Sequence, residues 1–337
     1  MRRITELLFL LVLGNFCQGK AFSQSLFTDS VRPYYQSAPE MMNLRYYFSR
    51  KYTEFQLAKD QPIYEPNSGL NMGLGFTYQK FTLNIAVPWG FLNPNRQTDW
   101  KGNLDLQAHT YTEKWNFDLF GQLYNGYSVP SIDPRGGFTL RRDVEVRKFG
   151  ANVEHVFFGD KISLAAAKDQ SQIQLKSAIS PMAGFGIYRV RISGDSIFTP
   201  LSENANYSQG DFFQIGPTAG VLGTLVFGKG FFLTGAFSSS LNLGFSQADQ
   251  QADSRNWDWQ LGYLFRGFAG YNHPRFSINV NYVVKNLNLP TLSELDPSVQ
   301  TGNYRLNFIY KIQPGPKLTK TYTKYNPVNI LSRLFQK

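Results

Sequence analysis

The chain has 337 residues, enough for two soluble domains or for one closed barrel with its loops. Aromatic residues make up 16% and charged residues only 17%, against about a quarter in ordinary soluble domains, which argues against a soluble chain and suits a surface that meets lipid. The net charge of +10 reads as a solvated basic periphery, ahead of nucleic-acid binding.

Residues 1–23 read as a signal peptide: Arg2 and Arg3 precede the apolar run Leu8 to Gly14, and small residues Ala21 and Ser23 suit cleavage. That run is too short to span a bilayer as a helix, which needs about 20 residues, and no later stretch approaches that length. Membrane residence would therefore come from strands. The single cysteine, Cys17, lies inside this leader, with Phe16 where lipoprotein processing wants a small residue, so the mature chain is expected to hold no disulfide. Residues 24–42 would follow as a periplasmic segment.

From there the dominant signal is period-2 alternation. Leu70, Met72, Leu74, Phe76 and Tyr78 share one face and Asn71, Gly73, Gly75 and Thr77 the other. After a tight Gln79–Lys80 turn, the pattern resumes at Phe81 and runs to Phe91. Two such segments of about ten residues make a hairpin of membrane-spanning length. The same grammar returns at Leu104–His109, Trp115–Leu123, Phe213–Phe227, Phe231–Phe245, Trp257–Phe265, Phe276–Tyr282 and Tyr304–Ile312, with less regular strands near 43–58, 146–158, 161–171 and 181–193. Turns at 113–114, 158–161, 228–230 and 272–275 all fall on one side if 172–210 contributes zero or two spans. The expectation is an all-β, antiparallel up-and-down transmembrane barrel over 43–312, of twelve strands with fourteen as the alternative. In the twelve-strand version 172–210 is a long outer excursion, with other outer loops near 59–68, 92–101, 128–143, 246–256 and 286–300. Tyr78, Trp89, Trp115 and Trp257 would sit in aromatic girdles.

Charge placement supports lipid on one side. The apolar faces carry no charge, while the opposite faces carry Asp105, Gln107, His109, Asp118, Asp258, Arg266, Asn279, Asn281 and Arg305, the candidate lumen-lining residues. A basic side chain at the lipid midplane of a barrel costs about 2–4 kcal/mol, which a wet or filled lumen avoids. Arg135, Arg141, Arg142, Arg147 and Lys148 form a candidate basic surface loop for lipopolysaccharide or anionic headgroups; the plainer reading is an ordinary solvated loop. The tail 313–337 is basic, and Val328, Leu331, Leu334 and Phe335 allow a short amphipathic helix on the periplasmic leaflet, beside the alternative of a disordered tail.

Asn67-Ser-Gly-Leu-Asn-Met-Gly-Leu-Gly-Phe-Thr-Tyr, Phe81-Thr-Leu-Asn, Gly90-Phe-Leu-Asn-Pro, Leu104-Asp-Leu-Gln-Ala-His, Asp118-Leu-Phe-Gly-Gln and Thr301-Gly-Asn-Tyr-Arg-Leu-Asn-Phe make the chain similar, over about 40–312, to a Bacteroidota outer-membrane family known as a domain of unknown function. The resemblance implies barrel and compartment and supplies no catalytic residue, ligand or partner. The tail departs from a chain that ends on its last strand.

No cysteine–histidine cluster marks a metal site, and no cofactor is expected. Of the three histidines only His109 lies on a polar face, and no nucleophile is assignable to it, so a lipid-hydrolase reading stays behind the others. The leading expectation is a small-solute pore or transport-related barrel. The alternative is a structural, assembly or surface-binding component, partnered by outer-membrane lipid, by the barrel assembly machinery and, through its tail, by a periplasmic protein.

Overall fold

The computed structural model describes residues 34–37, 41–78, 81–87, 89–92, 103–131, 137–199, 206–249, 255–292 and 294–325. The expected signal peptide, the turn at 79–80, Arg135 and the apolar tail residues from Val328 to Phe335 lie outside them. In chain order the elements are β1 (Tyr35–Ser37), β2 (Met42–Gln56), β3 (Glu65–Pro66), β4 (Leu70–Tyr78), β5 (Phe81–Val87), β6 (Leu104–Tyr111), β7 (Trp115–Pro130) and β8 (Phe138–Val156). Helix α1 (Leu164–Lys168) and β9 (Gln172–Gln174) precede β10 (Ala178–Phe198), β11 (Tyr207–Phe227), β12 (Phe231–Ala248), β13 (Asn256–Asn272), β14 (Phe276–Asn288), β15 (Ser298–Ile312) and helix α2 (Pro316–Tyr325).

One antiparallel sheet takes every strand except β1 and β9, and sequence neighbours are sheet neighbours from β10 through β15, which then pairs with β2. Twelve of its strands, all but the two-residue β3, form the up-and-down barrel. Among the described residues β5 and β6 end the ladder. The sheet is drawn round on itself by β3, which leaves β2 to pair with β7, and by Lys51 of β2, whose ammonium reaches Asp105 of β6 at 3.2 Å.

The strand count matches expectation, but its membership does not. Residues 161–171 are not a strand: Ser163 caps α1 by accepting the Ala166 N–H, and the run Leu-Ala-Ala-Ala-Lys is a good helix former. Residues 172–210 are not an outer excursion either, because β10 crosses the full sheet between β8 and β11. Dropping one span and gaining the other leaves the later turns on the expected side. The outer connection expected at 128–143 is also shorter, since β7 runs to Pro130 and β8 begins at Phe138. At the turn end, Gly228 and Gly230 both have positive φ, and a Cβ on Gly230 would meet the Asn272 carbonyl oxygen at 2.2 Å.

Alternation sorts the barrel wall as expected. Along β12 the even-numbered residues are buried inward while Phe231, Leu233, Phe237 and Leu241 point out. Outward apolar residues such as Leu74 (68% exposed) and Ile179 (66%) belong to a continuous belt. Rings border it at both ends: Phe227, Phe231 and Tyr271 in succession at the turn end, with Trp115, His155 and Phe157 beside them, and Phe213, Phe245 and Trp257 at the loop end. A belt of this kind is stable only against hydrocarbon, where strands satisfy their backbone by pairing with their neighbours.

Candidate functional site in the lumen

The inward face is layered. At the loop end Phe55, Tyr127, Val146, Ile192, Phe212 and Val299 pack with Leu289, Leu292 and Leu295 of the connection after β14, which folds in over them. At the turn end Ile162 and Leu164 pack with Val156, Met182, Leu222, Phe232 and Phe268. Residues 162–174 thus turn back into the barrel as a plug. Arg45 donates to the Asp169 carbonyl at 2.9 Å, Asn43 to that of Gln170 at 3.3 Å and Asn279 to that of Ala167 at 3.5 Å. The segment is also held by β1, which pairs with β9, and by Tyr35, which donates to the Gly159 carbonyl at 3.0 Å.

Between these apolar layers lies an ionic one. Arg266 of β13 stands five strands round the sheet from β7 and reaches across the lumen. Its guanidinium donates to Asp118 of β7 and, at 2.8 Å, to Glu154 of β8. Glu154 also accepts from Ser238 at 2.5 Å, and Asp118 from Tyr111 at 3.4 Å. The fork geometry of arginine suits a cation held between two carboxylates, and all three side chains are buried. Lys168, on α1 and outside the spanning strands, donates to Tyr111 at 3.3 Å and lies over its ring. Burial pushes its ammonium down to about 7, against the pull of Asp118 and Asp169.

The predicted lumen residues all fall on the inward face, but in separate groups. Asp118, Arg266 and His109 come together, His109 Nδ1 lying 2.5 Å from Asp118 and Nε2 3.3 Å from Gln107. Asp105 belongs to a second group with Lys51, Gln122 (2.9 Å) and Tyr124 (2.8 Å). Asn279 pairs with Asn307 at 2.5 Å, Asn281 is buried, and Arg305 stacks over Tyr47 at 4.6 Å. Asp258 sits apart at the loop end and holds Gln260.

The basic loop needs correction. Arg141, Arg142, Arg147 and Lys148 are on β8 rather than in a loop, and Lys148 is buried in the lumen, donating across it to Thr301 at 2.7 Å. Arg141 and Arg147 are held by Asp143 and Glu145. Grouping by nearness in sequence hid the period: Val144, Val146, Lys148, Asn152 and Glu154 alternate inward. The same reading would have found Glu154. Lys285, which donates to Tyr188 at 2.8 Å, was likewise on the face already assigned polar Asn279 and Asn281.

A family model described as Domain of unknown function (DUF4421) matches residues 28–311. The chain belongs to the DUF4421 family. That is the resemblance its strand motifs carried, over nearly the same span. No curated protein matches it. Solved structures similar to this DUF4421 chain include Ail, the attachment invasion locus protein of Yersinia pestis, at 10% identity, 81% of this chain, 98% of that one and a TM-score of 0.22. Others are the outer-membrane expressed OmpT of Vibrio cholerae (8%, 85%, 100%, 0.28) and the translocator domain of the autotransporter NalP from Neisseria meningitidis (9%, 91%, 98%, 0.32). At such scores the likeness carries no argument about role.

Chemically, the charged groups of this DUF4421 lumen layer pair with one another. Arg266 answers both carboxylates, and the hydrogen-bond partners of His109 are a carboxylate and an amide rather than a hydroxyl nucleophile. A cavity of about 10 Å³, lined by Asn152, Glu154, Tyr188, Thr218, Ser238 and Lys285, is the size of one water.

Proposed function

We propose that this protein is an integral outer-membrane barrel with a sealed lumen, acting through its two ends as a structural, assembly or surface-binding component of the envelope. The observation that carries the reading is Arg266 bridging Asp118 and Glu154 across the lumen, between an apolar cap and a helical plug. A small-solute pore needs polar side chains that face water along a continuous path; here they face one another. The outer-membrane assignment is supported by the exposed apolar belt with its aromatic borders and by the signal-like first 23 residues. It implies lipopolysaccharide and phospholipid around the belt and the barrel assembly machinery during insertion. The lipid-hydrolase reading gains no support from His109.

Solute efflux tests this. Proteoliposomes holding the refolded full chain should retain a trapped small sugar as well as protein-free vesicles do. Efflux that rises with the amount of folded protein would overturn the sealed-lumen reading.

A further inference from the structure

We propose that α2 is an interfacial clamp that holds anionic phospholipid headgroups of the leaflet at the turn end, through Lys317 and Lys320; this rests on the membrane reading above. The placement of the helix points to it. Tyr78 lies on the same outward face of β4 as Leu74, which is 68% exposed, yet Tyr78 is only 2% exposed. What covers it is α2: Tyr322 packs on the Tyr78 ring at 4.8 Å and the Phe76 ring at 5.8 Å. Tyr78 donates to Thr319 at 3.2 Å, and Tyr322 donates to the Tyr78 carbonyl at 3.4 Å. The helix is therefore docked on the lipid side of the wall, at the end of β4 that borders the turns, and not inside the barrel.

At that level a helix straddles hydrocarbon and headgroups. Leu318, one turn before Tyr322, remains 49% exposed, while Lys317 and Lys320 are exposed one turn apart. Lysine stems can lie along apolar surface while the ammonium reaches the phosphate level. The charge is unanswered within the tail: the last acidic residue of the chain is Asp296. A cationic helix beside a lipid belt attracts anionic lipid, and salt screens that attraction over about a Debye length. An acidic protein would also answer the charge, but it would have no use for Leu318 at the edge of the belt.

The test is amide hydrogen exchange of residues 316–325 in the full chain, reconstituted in nanodiscs of phosphatidylcholine alone or mixed with phosphatidylglycerol. The mixed discs should slow exchange several-fold, and high salt or the double change Lys317→Gln and Lys320→Gln should remove the difference while the barrel keeps its heat-modifiable mobility. Equal exchange in both discs, with the barrel inserted, overturns the clamp and leaves the membrane reading standing. A chain that folds but does not insert overturns the membrane reading and the clamp with it.

Discussion

Arg266 is the side chain on which the lumen depends most. Its removal leaves Asp118 and Glu154 buried without their shared cation, and breaking such a group by taking away one partner costs about 3–5 kcal/mol. Arg266→Leu should therefore lower the refolding free energy in lipid by about that amount, read from denaturant midpoints. Adding Asp118→Asn and Glu154→Gln in the same chain should recover most of the loss, because the leftover charges go too. A single change that proves neutral would mean the bridge contributes nothing. At this scale the sequence was readable where alternation was clean: Asp118 and Arg266 each stood opposite a run of apolar residues. Glu154 and Lys148 were on a strand whose alternation is less regular, and four nearby arginines drew Lys148 into a charge cluster that strand geometry divides between the two faces. Which lumen residues meet is not a property of any one strand. It follows from how far the sheet curls, so the pairing of Arg266 with residues four and five strands away was not legible.

At the scale of elements, the wall and the plug obey different rules. Val221 is midway along β11, outward and 42% exposed, between the ring borders at Phe213 and Phe227. Val221→Arg should cost about 2–4 kcal/mol in bilayer refolding, as a charge near the lipid midplane does. The same change at Phe227 should cost less, since that position lies at the border. Equal costs at the two sites would contradict the depth assigned to the belt. Long strands were legible because each repeats the alternation many times. The plug was not. Residues 161–171 carry apolar positions that fit a short strand as well as one helical turn, and only Ser163 before three alanines hinted at a capped helix. The mistake compensated for itself, since β10 supplied the span that α1 did not. The tail helix expected from Val328 onward lies outside the described residues; α2, which precedes it, is held by Tyr322 and Thr319 against Tyr78, a contact made with a strand some 240 residues earlier that no local pattern announces.

For the whole molecule, one principle accounts for the layering. The outer face must satisfy hydrocarbon, so polarity moves inward, and a narrow barrel then has to fill its interior with groups that satisfy one another. The result is an apolar cap, a self-paired ionic layer and a plug whose backbone carbonyls are met by Asn43, Arg45 and Asn279. Fold class and strand number were open to reading because they are set by pattern and count. Whether polar lumen residues line a path or close one depends on their partners across the barrel, and alternation along single strands gives the polarity without the pairing. Single-channel conductance of the refolded, heat-modifiable full chain in a planar bilayer tests this account most directly. It predicts a silent bilayer with no stable current steps. Reproducible ohmic steps from the unmodified protein would contradict it.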